Sequence, residues 1–368
     1  MLKKLALASA ALTASISLAF AGDLENKSWD EIVAQAKEEG QVAWYVWYLR
    51  DDLRNAVKPF EEEYGIKVTI PEGTNQGNQD KLLAERDREE GDIDVMALGY
   101  DAMASKDMEA LFMDLSGYLP KDDDRVGSLV GIDPKGRALA FWGNQTGIAY
   151  DPAKVDASAL PQTPTEFAEF WASNPGKFGF NFEKGGSGPS FHSNVMRNLS
   201  DVDFSSPDSS PEKLAKLKPG IEFFNEHGEN YVITASNADS IIRVSDGELW
   251  MVPAWEDHLA GLQKRGEVRS DIKFYIPAMG MSGGGNGVSI PNNARNKAAA
   301  LVFINWLTSA DTQSAFNRDF GTAPMHGKAD DSYALVSNDQ RAHRVDPAKD
   351  PFYKELKDHF IENVILNR

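Results

Sequence analysis

Predicted helices and strands alternate through the first hundred residues, and this alternation narrows the choice of fold more than any other feature. Ser28 and Glu31 form a capping-box pattern that begins a helix, and Gly40 is placed to end it. Helical patterns follow at residues 53–64 and 79–90. Continuous apolar runs predict three buried strands between these helices, at residues 42–48, 66–70 and 93–98. The alternation therefore predicts an α/β protein whose mainly parallel sheets are flanked by helices.

The length of the chain favours two lobes. A chain of 368 residues exceeds what one hydrophobic core comfortably supports. A second region begins near Phe141, with a strand at 147–150 and a helix whose cap is predicted at Thr163. We predict three crossings between the lobes, near Ala140, near Ile276 and within residues 312–320. The predicted boundaries are residues 22–139 plus 277–315 for one lobe, and 140–276 plus 316–368 for the other.

The first 21 residues have the pattern of a secretory signal peptide. Lys3 and Lys4 precede an apolar run that ends at Phe20, and Ala21 completes a small-residue cleavage pattern. The run is shorter than the roughly 20 residues of a membrane-spanning helix, so we expect cleavage after Ala21. The chain has no cysteine, which excludes disulfides, thiolate metal sites and a lipid-bearing cysteine. We therefore expect an exported protein that is free in a Gram-negative periplasm.

Charge and residue spacing exclude several classes of function. The chain has 56 acidic and 38 basic residues, a formal net charge of −18, which repels nucleic-acid phosphates and anionic lipid surfaces. We expect no nucleic-acid partner and no membrane insertion. The six histidines show no metal-binding spacing, so no metal and no cofactor are predicted. An acidic excess of this kind steers cationic ligands inward, but its simpler role is to keep the protein in solution, and we favour that role.

Three segments, in order, resemble the periplasmic solute-binding proteins of ABC importers. Residues 287–307 resemble the family's strand, its "IP-x-NA-x-NK-x-AA" turn and its "FINWL" helix. Residues 142–150 resemble the strand that enters the second lobe, and residues 246–251 a strand before a ligand loop. The nearest branch is the one that contains polyamine-, thiamine- and iron-binding proteins. The resemblance implies a type II-like fold hinged around a central cleft, a monomer, and a permease and ATPase complex in the inner membrane as partner.

We predict ligand contacts at four places along the chain where polar or aromatic residues follow a strand. Two of these places follow the first two strands. In the polyamine-type branch an aromatic residue stacks on the ligand after the opening strand, and Trp47, with Tyr48 beside it, matches that position. Both rings would equally well fill the faces of a buried strand. Thr74 and Asn75 follow the second strand, where a hydroxyl and an amide can both donate and accept hydrogen bonds. An ordinary helix cap explains these two residues equally well.

The other two places lie in the second half of the chain. Trp142 and Asn144 are predicted at the lobe crossover. Trp255 and Glu256 follow a strand, and an aromatic ring beside carboxylates suits a hydroxylated or cationic ligand. Glu256 and Asp257 would also be favourable simply as acids in the first turn of a helix. We predict that Trp47 and Trp255 form aromatic walls on opposite lobes.

Two glycine-rich stretches complete the predicted site and bear on the ligand. Ser187 lies in the first, a loop beside the cleft or at the hinge, and Asn286 ends the second. In the polyamine binders of the branch that the chain resembles, an aromatic residue and an aspartate occupy the second stretch, but here it reads Gly-Gly-Gly-Asn over residues 283–286. The missing aspartate favours a sugar- or polyol-like ligand. A cationic nitrogenous ligand, polyamine- or thiamine-like, remains the alternative.

A hydrolase and a secreted sensor are the other classes of function. Residues 280–284 match G-x-S-x-G, a nucleophile-elbow pattern centred on Ser282. That pattern needs a helix directly after the serine, whereas glycines and another strand follow here. We therefore predict no catalytic residue. A sensor would share the two-lobed fold, and nothing in the chain separates it from a transport protein.

Overall fold

The structure is a computed structural model that describes residues 24–368, apart from the side chain of Asn338. The predicted signal peptide lies outside these residues. Within them, the strands are β1 Gln41–Tyr45, β2 Lys67–Thr69, β3 Val95–Gly99, β4 Leu139–Tyr150, β5 Phe178–Lys184, β6 Tyr231–Ser236, β7 Met251–Trp255, β8 Lys273–Tyr275, β9 Met281–Ser289 and β10 Arg344–Val345.

The helices of the first half are α1 Trp29–Glu39, α2 Arg50–Ala56, α3 Lys58–Tyr64, α4 Asn75–Glu85, α5 Tyr100–Met103, α6 Met108–Leu111, α7 Pro164–Ser173 and α8 Ser187–Leu199. Those of the second half are α9 Pro211–Ala215, α10 Lys218–Glu226, α11 Asn237–Ser245, α12 Glu256–Lys264, α13 Lys297–Leu307, α14 Ala310–Phe320, α15 Asn338–Arg341 and α16 Phe352–Asn363. Among the described residues, no helix is both long and apolar enough to cross a membrane.

The first helix forms for the reason that its sequence indicates. The Ser28 hydroxyl caps the amide of Glu31, and the Glu31 carboxylate accepts from the Ser28 amide at 2.8 Å. Gly40 ends α1 in the left-handed conformation, with φ of 67°. Ile32 and Ala36 are buried beneath the helix. The predicted capping box and glycine stop are confirmed.

One continuous sheet path joins the strands in the order β2-β1-β3-β9-β4-β7-β5-β6, with β10 on β9 and β8 on β4. The outer pairs β1–β2, β1–β3, β5–β6 and β5–β7 are parallel, as the βαβ pattern predicts. The long strands β4 and β9 run antiparallel to each other and to β7 and β3, respectively. The two parallel ends are thus joined through an antiparallel centre.

The two central strands pass from one hydrophobic core to another. Strand β4 contributes Trp142 to a core built around β1, β3 and α13, and Ile148 to a second core around β5, β7 and α8. Strand β9 makes the reverse passage, with Met281 in the second core and Val288 in the first. The molecule is therefore a two-lobed α/β fold. Phe316, which the predicted boundaries assign to the other lobe, packs in the first core. The lobe boundaries drawn from the sequence remain a prediction.

Candidate ligand-binding site

A cavity of about 1260 Å³ lies where the strand ends of both parallel parts of the sheet meet the crossing strands β4 and β9. Its wall includes Trp47 just beyond β1, Gly99 at the end of β3 and Trp255 at the end of β7. Residues 282–286 of β9 line it from the centre. Ligands of α/β proteins bind beyond the carboxyl ends of parallel strands, because the following loops diverge there and leave a crevice. We call this cavity the cleft.

Three aromatic rings form a continuous row along the cleft. The ring of Trp47 lies 5.0 Å from that of Tyr48, centroid to centroid, and Tyr48 lies 5.3 Å from Trp142, both edge to face. The side-chain amide of Asn286 donates to the Tyr48 hydroxyl at 2.9 Å, which fixes the middle ring. Burial raises the pKa of the Tyr48 phenol well above its usual value, so the phenol is neutral. The row offers an aromatic surface without charge.

A carboxylate stands at the end of this row. The indole N–H of Trp142 donates to Asp257 Oδ2 at 2.9 Å, and Asp257 lines the cleft from the first turn of α12. Burial raises the pKa of Asp257, and the hydrogen bond from Trp142 partly offsets that rise. A partly desolvated carboxylate has several acceptor positions, so it can still accept from a ligand hydroxyl or pair with a ligand cation.

Trp255 forms the facing wall and packs closely on the backbone of Gly186. A Cβ placed at Gly186 would lie 3.1 Å from Cζ2 of the indole, which is tighter than ordinary contact. Gly186 is the N-cap of α8, and no side chain caps that position. The absence of a side chain at residue 186 therefore lets the indole lie against the start of α8.

Helix α8 presents a polar face to the cleft. Ser190, Ser193 and Arg197 all line the cavity, because spacings of three and four residues place them on one side of the helix. The Ser190 hydroxyl lies 2.7 Å from that of Thr146 on β4 and accepts from the Ser282 amide on β9 at 3.0 Å. This face therefore contacts both crossing strands, at the point where the lobes join.

Several polar atoms around the cleft are buried but have no hydrogen-bond partner within residues 24–368. They are Asn144 Oδ1, Ser193 Oγ, Arg197 Nε and His258 Nε2. Buried polar groups in proteins are nearly always paired, since an unpaired group costs about 1–3 kcal/mol. The set therefore marks positions where a ligand or ordered water supplies the missing partner.

Seven of the ten predicted site residues line the cleft: Trp47, Tyr48, Asn75, Trp142, Asn144, Trp255 and Asn286. Trp47 and Tyr48 are half-buried and Trp142 is fully buried behind them in the row of rings, while Trp255 stands on the facing wall. Asn75 is exposed at the start of α4. No ligand contact of these residues is demonstrated, so their roles remain predictions.

The other three predicted residues do not line the cleft, and ligand contact by them remains a prediction. Thr74 is the N-cap of α4, and its hydroxyl accepts from the amide of Gly77 at 3.0 Å. Ser187 is fully buried, with its hydroxyl 2.7 Å from Asn237 Oδ1. Glu256 is fully buried and accepts from Arg341 at 2.7 Å, on the side of α12 away from the cleft. Each of these side chains already has a structural partner.

Six residues that line the cleft were not among the ten predicted site residues: Asp101, Ser190, Ser193, Arg197, Asn237 and Asp257. Asp257 was considered with Glu256 both as a carboxylate beside Trp255 and as an acid favourable at a helix N-terminus, but only Glu256 was predicted as a site residue. The α8 residues carried a usable signal, since Ser190, Ser193 and Arg197 follow a glycine-rich stretch at helical spacing. That stretch was expected to be a loop, whereas α8 begins inside it at Ser187.

The nucleophile-elbow pattern has no elbow. Ser282 is the second residue of β9, a strand of nine residues, and no helix follows it directly. Its hydroxyl accepts from the Asn194 amide at 3.1 Å. The described residues also contain no group of three or more side chains suited to hold a metal ion. The geometry thus resembles that of a binding site and lacks the strand-to-helix turn of an α/β hydrolase.

Two lobes, strand ends facing one cleft and a ring-lined wall define the class of a solute-binding protein. The chain belongs to the family of bacterial extracellular solute-binding proteins, whose match covers residues 55–342. The family identifies it as a substrate-binding component of an ABC transporter, with a small-molecule ligand and a permease as partners. No curated protein matches the sequence.

Solved structures agree on the fold. The spermidine/putrescine substrate-binding protein PotD from Streptococcus pneumoniae has a TM-score of 0.69 at 13% identity, over 89% of this chain and 99% of that one. Fructose-6-phosphate-bound AfuA from Actinobacillus pleuropneumoniae has a TM-score of 0.59 at 17% identity, over 89% and 99%. Iron-bound HitA from Pseudomonas aeruginosa has a TM-score of 0.59 at 16% identity, over 88% of this chain and 98% of that one. Their named ligands differ in charge and size, so the shared fold leaves the ligand open.

Proposed function

We propose that this protein captures a small polyhydroxylated solute, a sugar or polyol, in the periplasm and delivers it to its permease by hinge closure. The observation that carries the proposal is a set of buried, unpartnered neutral polar atoms on residues that line the cleft, which includes Asn144 Oδ1, Ser193 Oγ and His258 Nε2. A hydroxyl donates and accepts at once, so a polyhydroxylated ligand satisfies such mixed groups without any charge of its own.

The aromatic row supports the same ligand class. Sugars carry apolar C–H faces, and the uncharged, half-buried rings of Trp47 and Tyr48 offer a surface on which such a face can stack. Burying that face adds hydrophobic free energy at about 25 cal/mol per Å². Polar groups then fix the orientation of the ligand, as in most small-molecule sites.

Hinge closure is supported by the size of the cleft and by its construction. Its 1260 Å³ exceeds the roughly 300–1,000 Å³ typical of small-ligand pockets, so a small solute fills it only if the walls approach. Strands β4 and β9 join the two cores and form the axis about which such motion would occur. Closure then produces a shape that a permease distinguishes from the open form.

One observation favours a second candidate, a cationic nitrogenous ligand. Asp257 lines the cleft with no salt bridge among residues 24–368, and burial raises its pKa. An ammonium group beside it would restore its ionised form and would lie near the rings of the aromatic row. This candidate requires the Asp257 carboxylate, whereas a neutral ligand needs only an acceptor at that position.

A binding panel tests the proposal. Titration calorimetry with sorbitol, D-glucose, putrescine and thiamine should give binding for at least one neutral polyol or sugar and none for the cations. Asp257→Asn, which keeps an acceptor oxygen, should weaken a neutral ligand less than about tenfold, the cost of one hydrogen bond. Binding of a cation alone, lost in this variant, would establish the second candidate and reject the first.

Three further measurements test delivery, the absence of catalysis and export. Small-angle scattering should show a smaller radius of gyration with a saturating bound ligand, and an unchanged radius would reject hinge closure. Ester hydrolysis by the purified protein, lost in Ser282→Ala, would contradict the transport role. N-terminal sequencing of protein exported from a Gram-negative host should start at Gly22, because we place the cleavage after Ala21.

A further inference from the structure

The cleft wall contains a half-buried cation that forms no salt bridge within residues 24–368. Arg197 lines the cavity from the last turn of α8, and no carboxylate of residues 24–368 forms a salt bridge with it. Its Nη2 donates to the backbone carbonyl of Asp346 at 2.7 Å, and its guanidinium lies 4.8 Å from the ring centre of Phe204. Its Nε is buried and has no hydrogen-bond acceptor there. These contacts fix the position of the guanidinium, but no salt bridge neutralises its charge.

Burying such a charge without a counter-ion is unfavourable. Desolvation lowers the pKa of the Arg197 guanidinium, and only the nearby charge of Asp346 opposes this effect. The Asp346 carboxylate instead approaches Gly131 of the other lobe, where a Cβ would lie 3.3 Å from its Oδ2. Arginine is nonetheless always protonated in proteins, so the charge persists and attracts an anion.

A second unpaired group lies one turn of α8 away. Ser193 is 7% exposed, lines the cleft, and its hydroxyl has no partner within residues 24–368. Residues 193 and 197 are four apart, so both side chains lie on the same helix face. Lys349 also lines the cavity and is exposed. A guanidinium donor and an unpartnered hydroxyl on one helix face together match the oxygens of a carboxylate or phosphate.

We propose that Arg197 and Ser193 form an anion-binding subsite, so that the captured solute is a polyhydroxylated molecule that carries one oxyanion. The inference rests on the proposed function and narrows its ligand class to sugar acids or sugar phosphates. The net charge of −18 opposes anion approach at long range, where salt screens charges beyond about 8 Å, and Asp101 and Asp257 of the cleft wall oppose it at shorter range. Within the cleft, the contact with a partly desolvated arginine outweighs that screened field.

Calorimetry with matched probes tests the subsite. The probes are sorbitol and D-glucose as neutral molecules, D-gluconate and D-glucose 6-phosphate as their anionic counterparts, and inorganic phosphate alone. The wild type should bind at least one anionic probe about 10- to 100-fold more tightly than its neutral counterpart, the range expected for a charge-assisted hydrogen bond. Preference for gluconate indicates a carboxylate ligand, and preference for the phosphate ester a phosphorylated one.

Variants assign the preference to these residues. Arg197→Gln should abolish the difference between anionic and neutral probes, whereas Arg86→Gln, the same charge change on an exposed residue outside the cleft, should retain it. Ser193→Ala removes an unpartnered hydroxyl, so it should fold normally and weaken the anionic probes severalfold. This second variant keeps the test decisive if Arg197→Gln does not fold.

The outcomes separate this inference from the proposed function. Equal binding of neutral and anionic probes, unchanged in both α8 variants, would reject the subsite and leave the proposed function intact. Inorganic phosphate that raises the melting temperature of the wild type but not of Arg197→Gln, without binding of any sugar or polyol, would support the subsite and reject the proposed function. Binding of cations alone would reject both.

Discussion

The indole of Trp142 and the carboxylate of Asp257 are joined by a hydrogen bond of 2.9 Å that connects the two lobes inside the cleft. Trp142 belongs to the first core, whereas Asp257 begins α12, whose buried Leu259 and Leu262 belong to the second. The bond places an acceptor at the end of the aromatic row and ties the ligand-facing wall to the line about which the lobes would close. A ligand that contacts Asp257 therefore acts directly on a contact between the lobes.

Replacing Asp257 by Asn should raise the melting temperature at pH 7 by about 2–4 °C, corresponding to roughly 1 kcal/mol. Burial raises the pKa of this carboxyl in the folded state, so the native protein holds a proton at pH values where the unfolded chain has lost it. The wild type therefore gains stability as the pH falls toward the ordinary carboxyl range, and the advantage of Asn should shrink. Calorimetric scans of both proteins from pH 7 to pH 4 measure this difference.

Asp201→Asn, in an exposed loop, controls for the loss of one negative charge. An advantage of Asp257→Asn that grows as the pH falls would show that the carboxylate is stabilised in the folded state, contrary to the burial argument.

The helices and strands could be predicted where local signals were complete. The capping box at Ser28 and the apolar strand runs needed no tertiary information. The helix predicted over residues 53–64 is instead two helices, α2 and α3, which meet at Val57. Pro59 lies in the first turn of α3, where its missing N–H costs nothing, and in one continuous helix it would remove a hydrogen bond. This proline was the available signal for the break.

The site residues could be predicted only to within about one position. Trp47 and Trp255 follow strand ends, and strand ends reach the cleft, so the sequence was sufficient. Successive residues of a helix point in directions that differ by about 100°. The sequence does not determine which of these directions faces the other lobe. That single step separates Glu256 from Asp257 and Thr74 from Asn75. In both pairs the first residue has a structural partner and the second lines the cleft. Glu256 was predicted instead of Asp257, and Thr74 was predicted together with Asn75.

Trp255→Ala should weaken ligand binding up to about thirtyfold with a nearly unchanged melting temperature. The indole lines the cleft and is only partly buried, so its removal chiefly loses ring contacts worth roughly 0.5–2 kcal/mol. Trp44→Ala is the matched control, because Trp44 is fully buried between Phe141 and Phe303. That variant should lose about 3–5 kcal/mol of folding free energy. Trp47→Ala should resemble Trp255→Ala.

Calorimetric titration and thermal unfolding of all three tryptophan variants separate affinity from stability. A collapse of the melting temperature in Trp255→Ala would assign that ring to the core.

Glu256→Gln should destabilise the fold by roughly 3 kcal/mol and leave the intrinsic ligand affinity of the folded protein close to that of the wild type. Its carboxylate is fully buried and accepts from both Arg341 and the Leu335 amide. Loss of one partner leaves the other charge poorly compensated, which is costly in a buried pair. Urea unfolding measures the free energy, and titration below the unfolding range measures affinity. A tenfold loss of affinity at full folding would restore Glu256 to the site.

Gly186→Ala should weaken ligand binding without lowering stability, because its added methyl group presses only on the ring of Trp255. Gly186 has φ of −109°, which alanine adopts without strain, and alanine restricts the unfolded chain. The new Cβ would lie 3.1 Å from the indole Cζ2, so the ring must move by a few tenths of an ångström into the cleft. We expect an affinity loss of about three- to tenfold, less than that of Trp255→Ala, since the ring is displaced and not removed.

Gly117→Ala, where an added methyl meets nothing within 4 Å, is the control and should bind as the wild type does. In the double variant Gly186→Ala, Trp255→Ala the methyl has no ring to displace, so it should bind no more weakly than Trp255→Ala alone. Additive losses in that double variant would show that Gly186 acts on the ligand directly and not through Trp255.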